Sequence, residues 1–293
     1  MNFAIIEQIA LYIPLMLGAY LSISMMKIPN LSIETAYVFG AIMASQVLML
    51  EGNVGIVVLL LALLMSACGG AMVGIIAASF VEYAKFSHIL AAIITMGLFH
   101  GLSQWVIAGS HITISHFYNS LRLLEFVREY PELPIVMIIA LLMIIIFYMF
   151  IHTQLGISCA LYGDNILFLK NYRMNQSYVV IAGMALSNAL AGITGYMVAQ
   201  SNGFADTTMG VGLPLLCLSS LIIGKSLYTT RWPLTIVVPL VGIAGYFMVQ
   251  SLLLGIGFDL RYFTSVQAII VAGLLIISSR VSRRSLHQNL LGI

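Results

Sequence analysis

Charge is missing from long tracts of this chain, and that constrains its fold more than any other feature. Between neighbouring Asp, Glu, Lys and Arg residues lie nine uncharged stretches of sixteen residues or more: 8–26, 35–50, 52–81, 86–121, 133–163, 174–205, 207–224, 232–258 and 262–279. A helix needs about 20 apolar residues to cross a bilayer core, so the spacing predicts nine crossings. Only 8% of the 293 residues are charged, against roughly a quarter in a soluble domain, which excludes a soluble fold. Residues 136–150 are continuously apolar and lack the period-two alternation of a membrane barrel. The expected fold class is therefore an all-α integral membrane protein, a polytopic helical bundle forming one transmembrane domain over residues 1–293.

Basic residues in short loops stay on the cytoplasmic side. Arg280, Arg283 and Arg284 put the C-terminus inside, and Lys225, Arg231, Lys170, Arg173, Lys85 and Lys27 fall on alternate loops. Nine crossings then place the N-terminus outside, with an outer loop over about 110–133. The first stretch has Glu7 where a secretory signal carries a basic residue, so it is expected to remain as a span. Cys68, Cys159 and Cys217 are widely spaced in apolar surroundings and fit neither a disulfide framework nor a metal site. A net charge of +2 gives no footprint for nucleic acid.

Few motifs carry chemistry. Gly224-Lys225-Ser226 looks like the end of a phosphate-binding loop, but Ser219 stands where that loop requires glycine. The six histidines include no HExxH pair, and no GxSxG occurs. His100, Ser103 and Gln104 share one helical face; polar groups at membrane depth join helices or line a wet cavity, and both readings fit. Pro29-Asn30-Leu31-Ser32-Ile33-Glu34 interrupts the apolar pattern before a stretch of only sixteen residues. It reads either as a cytoplasmic turn capped by Ser32 or as the start of a broken helix whose N-terminal N–H groups face a polar solute. Gly70/Gly74, Gly97/Gly101 and the cluster Gly183, Asn188, Gly192, Gly195 have the spacing of close helix contacts. Residues 163–173 form a charged, amphipathic inner loop about as long as a surface helix, with Asp164 and Asn165 suited to its N-cap.

At these residues the chain resembles the permease subunits of ABC importers of the branched-chain amino acid and ribose type, and most of all those paired with substrate-binding proteins of the tryptophan-binding type. The resemblance covers nearly the whole chain. It rests on Pro29 to Glu34, on Leu90 to Met96, and on a long run: Ser187-Asn188, Ala191-Gly192, Ala199-Gln200, Gly203-Phe204-Ala205-Asp206, Met209-Gly210-Val211-Gly212 and Ile222-Ile223-Gly224. Gly163-Asp164-Asn165 is similar to the opening of that family's coupling helix. The chain departs from the family pattern at Asn30, Glu34, Thr35 and Lys225, and lacks the glycine usual near Tyr172 and Arg173.

The resemblance implies a non-catalytic subunit of a bacterial cytoplasmic (inner) membrane importer for an amino acid, an aromatic one included, or a similar small polar solute. It implies a second, identical permease chain, two copies of a cytosolic ABC ATPase that use ATP and Mg, and an extracytoplasmic substrate-binding protein. This chain itself binds no cofactor or metal in that reading. Gly163, Asp164, Asn165, Leu167, Phe168 and Tyr172 are the expected ATPase-coupling residues, and Glu34, Tyr37, His100, Gln104, Asn188 and Gln200 the expected path. The competing expectation is a stand-alone transporter driven by protons or sodium, with Glu34 titrating.

Overall fold

A computed structural model describes residues 2–50, 56–107, 109, 111–114, 133–165, 175–227, 236–257, 265, 267–269 and 272. Along the chain these form α1 (Asn2–Ala19), continued by a π-helical turn (Tyr20–Met25), then α2 (Ile33–Leu50), α3 (Ile56–Glu82), α4 (His88–Ile107) and β1 (His111–Thr113). There follow α5 (Leu133–Ile151), α6 (Gln154–Asp164), α7 (Gln176–Asn202), β2 (Phe204–Asp206), α8 (Leu213–Leu227) and α9 (Val237–Gly255). The all-α membrane class expected from the sequence holds. Among the described residues, six helices are long and apolar enough to cross a bilayer, namely α1 with its π-helical turn, α3, α4, α5, α7 and α9. α2 and α8 are shorter apolar helices. Most of the ninth expected stretch, 262–279, lies outside the described residues.

α2, α3 and α7 form the most densely packed part of the bundle, with α1 against α7 and α8 paired with α9. No hydrophobic drive joins helices in lipid, so small residues that admit close backbone approach do it. A Cβ on Gly70 would strike the Asn188 carbonyl, one on Gly74 the Met184 carbonyl, and one on Gly195 the Tyr37 carbonyl. Gly97 and Gly101 have the same spacing, yet nothing among the described residues lies within 4 Å of a Cβ on either. They are not among the buried residues of α4, which are Ala91, Ala92, Thr95, Phe99 and Ser103. Leu98 and Trp105 point out from the bundle, as do Ile138 and Leu141 on α5, which suits lipid rather than water.

Two local departures from α-helix have visible causes. Pro14 breaks the regular pattern in α1, and the Leu15 backbone N–H donates to the Thr194 hydroxyl at 2.9 Å. The π-helical turn follows Gly18, whose carbonyl accepts from Ser187 Oγ at 2.8 Å and from Ser22 Oγ at 3.3 Å; such turns occur where a side chain inserts into the ladder.

The sequence differs from the structure in three places. Stretch 133–163 holds two helices instead of one crossing, because Thr153 donates to the Phe150 carbonyl at 2.6 Å and caps the Gly156 N–H at 3.2 Å. A strand pair was not expected; β1 and β2 pair antiparallel with His111 opposite Asp206 and Thr113 opposite Phe204. Asp164 closes α6 and Asn165 is its C-cap, so both end a helix. Residues 166–174, with Leu167, Phe168 and Tyr172, lie outside the described residues, as do 115–132 of the expected outer loop.

Candidate functional site

The interruption at Pro29 is no surface turn. After Met26 the chain leaves helical geometry at Lys27, with φ at 55°, and re-enters the bundle. Asn30 and Ser32, 2% and 0% exposed, meet α7 near its midpoint. There the side chains close a ring. Asn30 Nδ2 donates to Asn188 Oδ1 at 2.8 Å, Asn188 Nδ2 donates to Ser32 Oγ at 2.8 Å, and Ser32 Oγ donates to Asn30 Oδ1 at 2.7 Å. Asn188 is twelve residues into α7, about 18 Å along it at 1.5 Å per residue. α2 thus begins inside the bundle, as a broken helix.

Two cavities flank this passage. One of about 470 Å³ is lined by Glu34, Thr35 and Val38 of α2, by Ile93, Met96, Gly97, His100 and Ser103 of α4, and by Thr207, Thr208 and Val211. The other, about 230 Å³, is lined by Ile23, Lys27, Pro29, Asn30, Leu31, Pro214 and Leu218. Residues 27–31 and the start of α8 belong to one cavity, residues 34–38 and the turn before α8 to the other. Gly210 packs so tightly on Glu34 that a Cβ there would lie 2.8 Å from the Glu34 carbonyl oxygen and 3.0 Å from its Cγ.

Of the six expected path residues, the structure brings Glu34 and His100 into the larger cavity. Gln104 holds His100, Nε2 to Nε2 at 3.1 Å, on the outer side of α4. Tyr37 is buried beside Tyr12, and Asn188 is bound in the ring. Gln200 is wholly buried one turn beyond Tyr196, and neither its amide nor the Tyr196 hydroxyl finds a partner among the described residues. Sequence reasoning did not find Thr35, Thr207, Thr208 or Val211 as cavity residues. They belong to the quoted motifs or stand next to them, but only folding unites them.

Past α7, Gly203 closes the helix in the left-handed region at φ 79°. Asp206 then accepts the Thr208 N–H at 3.0 Å, the Thr208 hydroxyl at 3.1 Å and the Thr207 hydroxyl at 3.4 Å. The Thr208 backbone N–H, followed by these hydroxyls, holds its carboxyl below its usual value of 3.8. A depressed carboxyl stabilises the fold above that value and stops doing so as pH falls through the lower, folded one. Asp206→Ala should therefore be less thermostable than the native chain at pH 6, with the gap closing below about pH 4. Thermal aggregation midpoints in detergent across pH 3 to 6 measure this.

The chain's sequence from residue 1 to residue 279 matches the model of the branched-chain amino acid transport system permease component. The chain belongs to that family. It is a multi-pass inner-membrane transport permease, a non-catalytic subunit, as the resemblance implied. A tyrosine transport system permease protein of Clostridioides difficile is 29% identical over 217 residues, 72% of this chain and 68% of that one. An uncharacterized protein of Rickettsia prowazekii is 26% identical over 87% of this chain and 89% of its own. A galactofuranose transporter permease protein of Escherichia coli is 31% identical over 74% of this chain and 63% of its own. No solved structure matches the chain significantly.

Proposed function

We propose that this permease is the translocation subunit of a binding-protein-dependent ABC importer for an amino acid or a similar small polar solute. Nine helices cross the membrane with the N-terminus outside and the C-terminus inside. Two identical copies form the pathway, and two cytosolic ATPase chains, which use ATP and Mg, grip the segment from Gly163 to Arg173 through Asp164, Asn165, Leu167, Phe168 and Tyr172. The observation that carries this reading is the pair of cavities on the two sides of the Asn30–Ser32 passage. Alternating access needs a solute space that opens to each face in turn, with a barrier between.

Glu34 and His100 line the larger space, and Asn188 pins the barrier. Tyr37, Gln104 and Gln200 complete the path in the state where the helices separate. The extracytoplasmic binding protein docks where the outer loop and the segment after α7 meet, a reading supported by the pairing of β1 with β2. The tyrosine-transport relative supports an amino acid as solute. Partner binding shifts the access equilibrium only through different affinity for its states, so the ATPase grips the coupling segment differently when ATP is bound.

The test is a pull-down of the tagged chain from mild detergent, with mass spectrometry and an ATPase assay of the eluate. An ABC ATPase should co-purify, and Phe168→Ala should abolish coupled transport while leaving the thermal midpoint of the chain unchanged. A chain that purifies alone and transports on a proton or sodium gradient in liposomes would overturn the importer reading.

A further inference from the structure

The end of α3, the end of α6 and the start of α7 meet at one carboxylate. Glu82 closes α3 and is 8% exposed, and its Oε2 accepts the Ser177 hydroxyl at 2.8 Å. Ser177 stands in the first turn of α7, where its backbone N–H donates to the Asn175 cap at 3.1 Å. One residue thus fixes the start of α7 with its backbone and ties it to α3 with its side chain. Tyr162, half-buried in the last turn of α6, lies in the field of Glu82. Burial first, then the Glu82 charge, raises its phenol above the usual value of 10, and a hydrogen bond to Gln176 lowers it. His88, at the start of α4, is the other titratable group that the Glu82 charge acts on. No Lys or Arg among the described residues pairs with Glu82.

A buried carboxylate is costly, and an apolar side chain would fill the same space without that cost. What the carboxylate adds is a fixed acceptor. A charge-assisted hydrogen bond is about twice as strong as a neutral one, and the first turn of a helix favours a negative charge beside it. α6 and α7 are the helices on either side of the segment from Gly163 to Arg173 that the proposed function gives to the ATPase. Each sends a residue to this point, Tyr162 before the segment and Ser177 after it, so the residues that bracket the segment are held together at the end of α3. α3 in turn packs along both α7 and α2, and α2 carries Glu34 and Val38 of the larger cavity. Resting on the coupling reading, we infer that Glu82 is a positioning residue for energy coupling, the anchor through which a movement of that segment passes to α3 instead of being lost in a swing of its two ends.

An ATP-driven change in the permease can be followed without knowing the solute. The full chain, with Cys68→Ser and Val211→Cys, is purified in nanodiscs together with the ATPase that accompanies it. The thiol at position 211 lies on the wall of the larger cavity, where Val211 is 71% exposed, while Cys159 and Cys217 are buried. Its rate of labelling by N-ethylmaleimide is measured without nucleotide and with ATP, Mg and vanadate, beside the ATPase rate and the thermal midpoint. With Glu82 in place, the labelling rate should depend on nucleotide. In Glu82→Ala and in Ser177→Ala the ATPase should still co-purify and hydrolyse ATP, but nucleotide should no longer alter the labelling. Glu82→Gln and Ser177→Thr, which keep the acceptor and the donor, should retain the response. Should Glu82→Ala fail to fold, Ser177→Ala against Ser177→Thr decides alone.

A nucleotide response kept in Ser177→Ala, even with a lowered midpoint, is what a merely structural bond would give; it would overturn the anchor and leave the coupling reading standing. Loss of the response in the two conservative variants as well would overturn the hydrogen bond as its basis. Loss of the ATPase itself from Ser177→Ala would make the contact one of assembly and overturn its role in transmission. Labelling that ignores nucleotide with Glu82 and Ser177 intact, or a chain that purifies without an ATPase, would overturn the coupling reading and the anchor with it.

Discussion

Gly195→Ala should remove most of the folded protein from the membrane. The added methyl falls on the Tyr37 carbonyl oxygen, where α2 and α7 touch backbone to backbone. A flexible side chain can rotate away from such a clash, but a helical carbonyl moves only with its helix. Overpacking of a core commonly costs about 1–3 kcal/mol, and the absence of a yielding neighbour puts this substitution at or above the top of that range. The same argument applies to Gly70, whose Cβ would meet the Asn188 carbonyl. Gly101→Ala is the matched control, since nothing among the described residues lies within 4 Å of its Cβ position. Its thermal midpoint in detergent should equal that of the native chain, while Gly195→Ala should be recovered at low yield and aggregate at a clearly lower temperature. Equal midpoints for the two variants would show that α2 and α7 are not in backbone contact.

The second large effect is expected at Asn188. Within the ring, every member donates to the next, and all three side chains are buried. Asn188→Ala leaves Asn30 Nδ2 with only the longer bond to Ser187, 3.4 Å, and leaves Ser32 Oγ without its donor. Stranding a buried polar group costs about 1–3 kcal/mol, and polar contacts between membrane helices average below 1 kcal/mol, so a loss of about 2 kcal/mol is expected. Asn188→Asp should cost more, because a carboxylate accepts but does not donate to Ser32. A double-mutant cycle of Asn188→Ala with Asn30→Ala checks this directly. The two losses should fall short of additive by about 1 kcal/mol, since either one already opens the ring. Additive losses would mean that the two side chains do not act on each other.

Much of the architecture is legible in the residues, and the parts that are not have physical reasons. Long apolar tracts find the helices because burying backbone in lipid leaves few alternatives. Spacing alone singles out Gly70 and Gly74 as contact residues, but it singles out Gly97 and Gly101 equally, and only the fold shows which pair has a neighbour. The break at Pro29 is visible in sequence as two readings of equal standing. The choice between them depends on Asn188, which is 158 residues from Asn30. Hydropathy passes over Thr153, because one hydroxyl that ends a helix barely changes the mean of an apolar tract. The larger cavity draws on α2, α4 and the turn at 207–211, so no single window of sequence contains it. Glu34 and His100 can be picked out singly as polar residues in apolar tracts. Thr35 is found only through the fold, which sets it against the same cavity.

The end of α6 rests on the end of the first helix in two ways. Lys27 Nζ lies 2.8 Å from Asp164 Oδ1, and Gly163 sits so close to Met25 that a Cβ would collide with its carbonyl. From Lys27 the chain reaches Glu34 in seven residues, passing through the ring on the way. Under the proposed function, a push on the C-terminal end of α6 crosses one contact, that of Asp164 with Lys27, and then has a short lever of covalent bonds to the cavity wall. On that proposal the stroke is set by how far seven residues can tilt about one fixed point, with Asn188, held by Asn30 and Ser32, as the fulcrum.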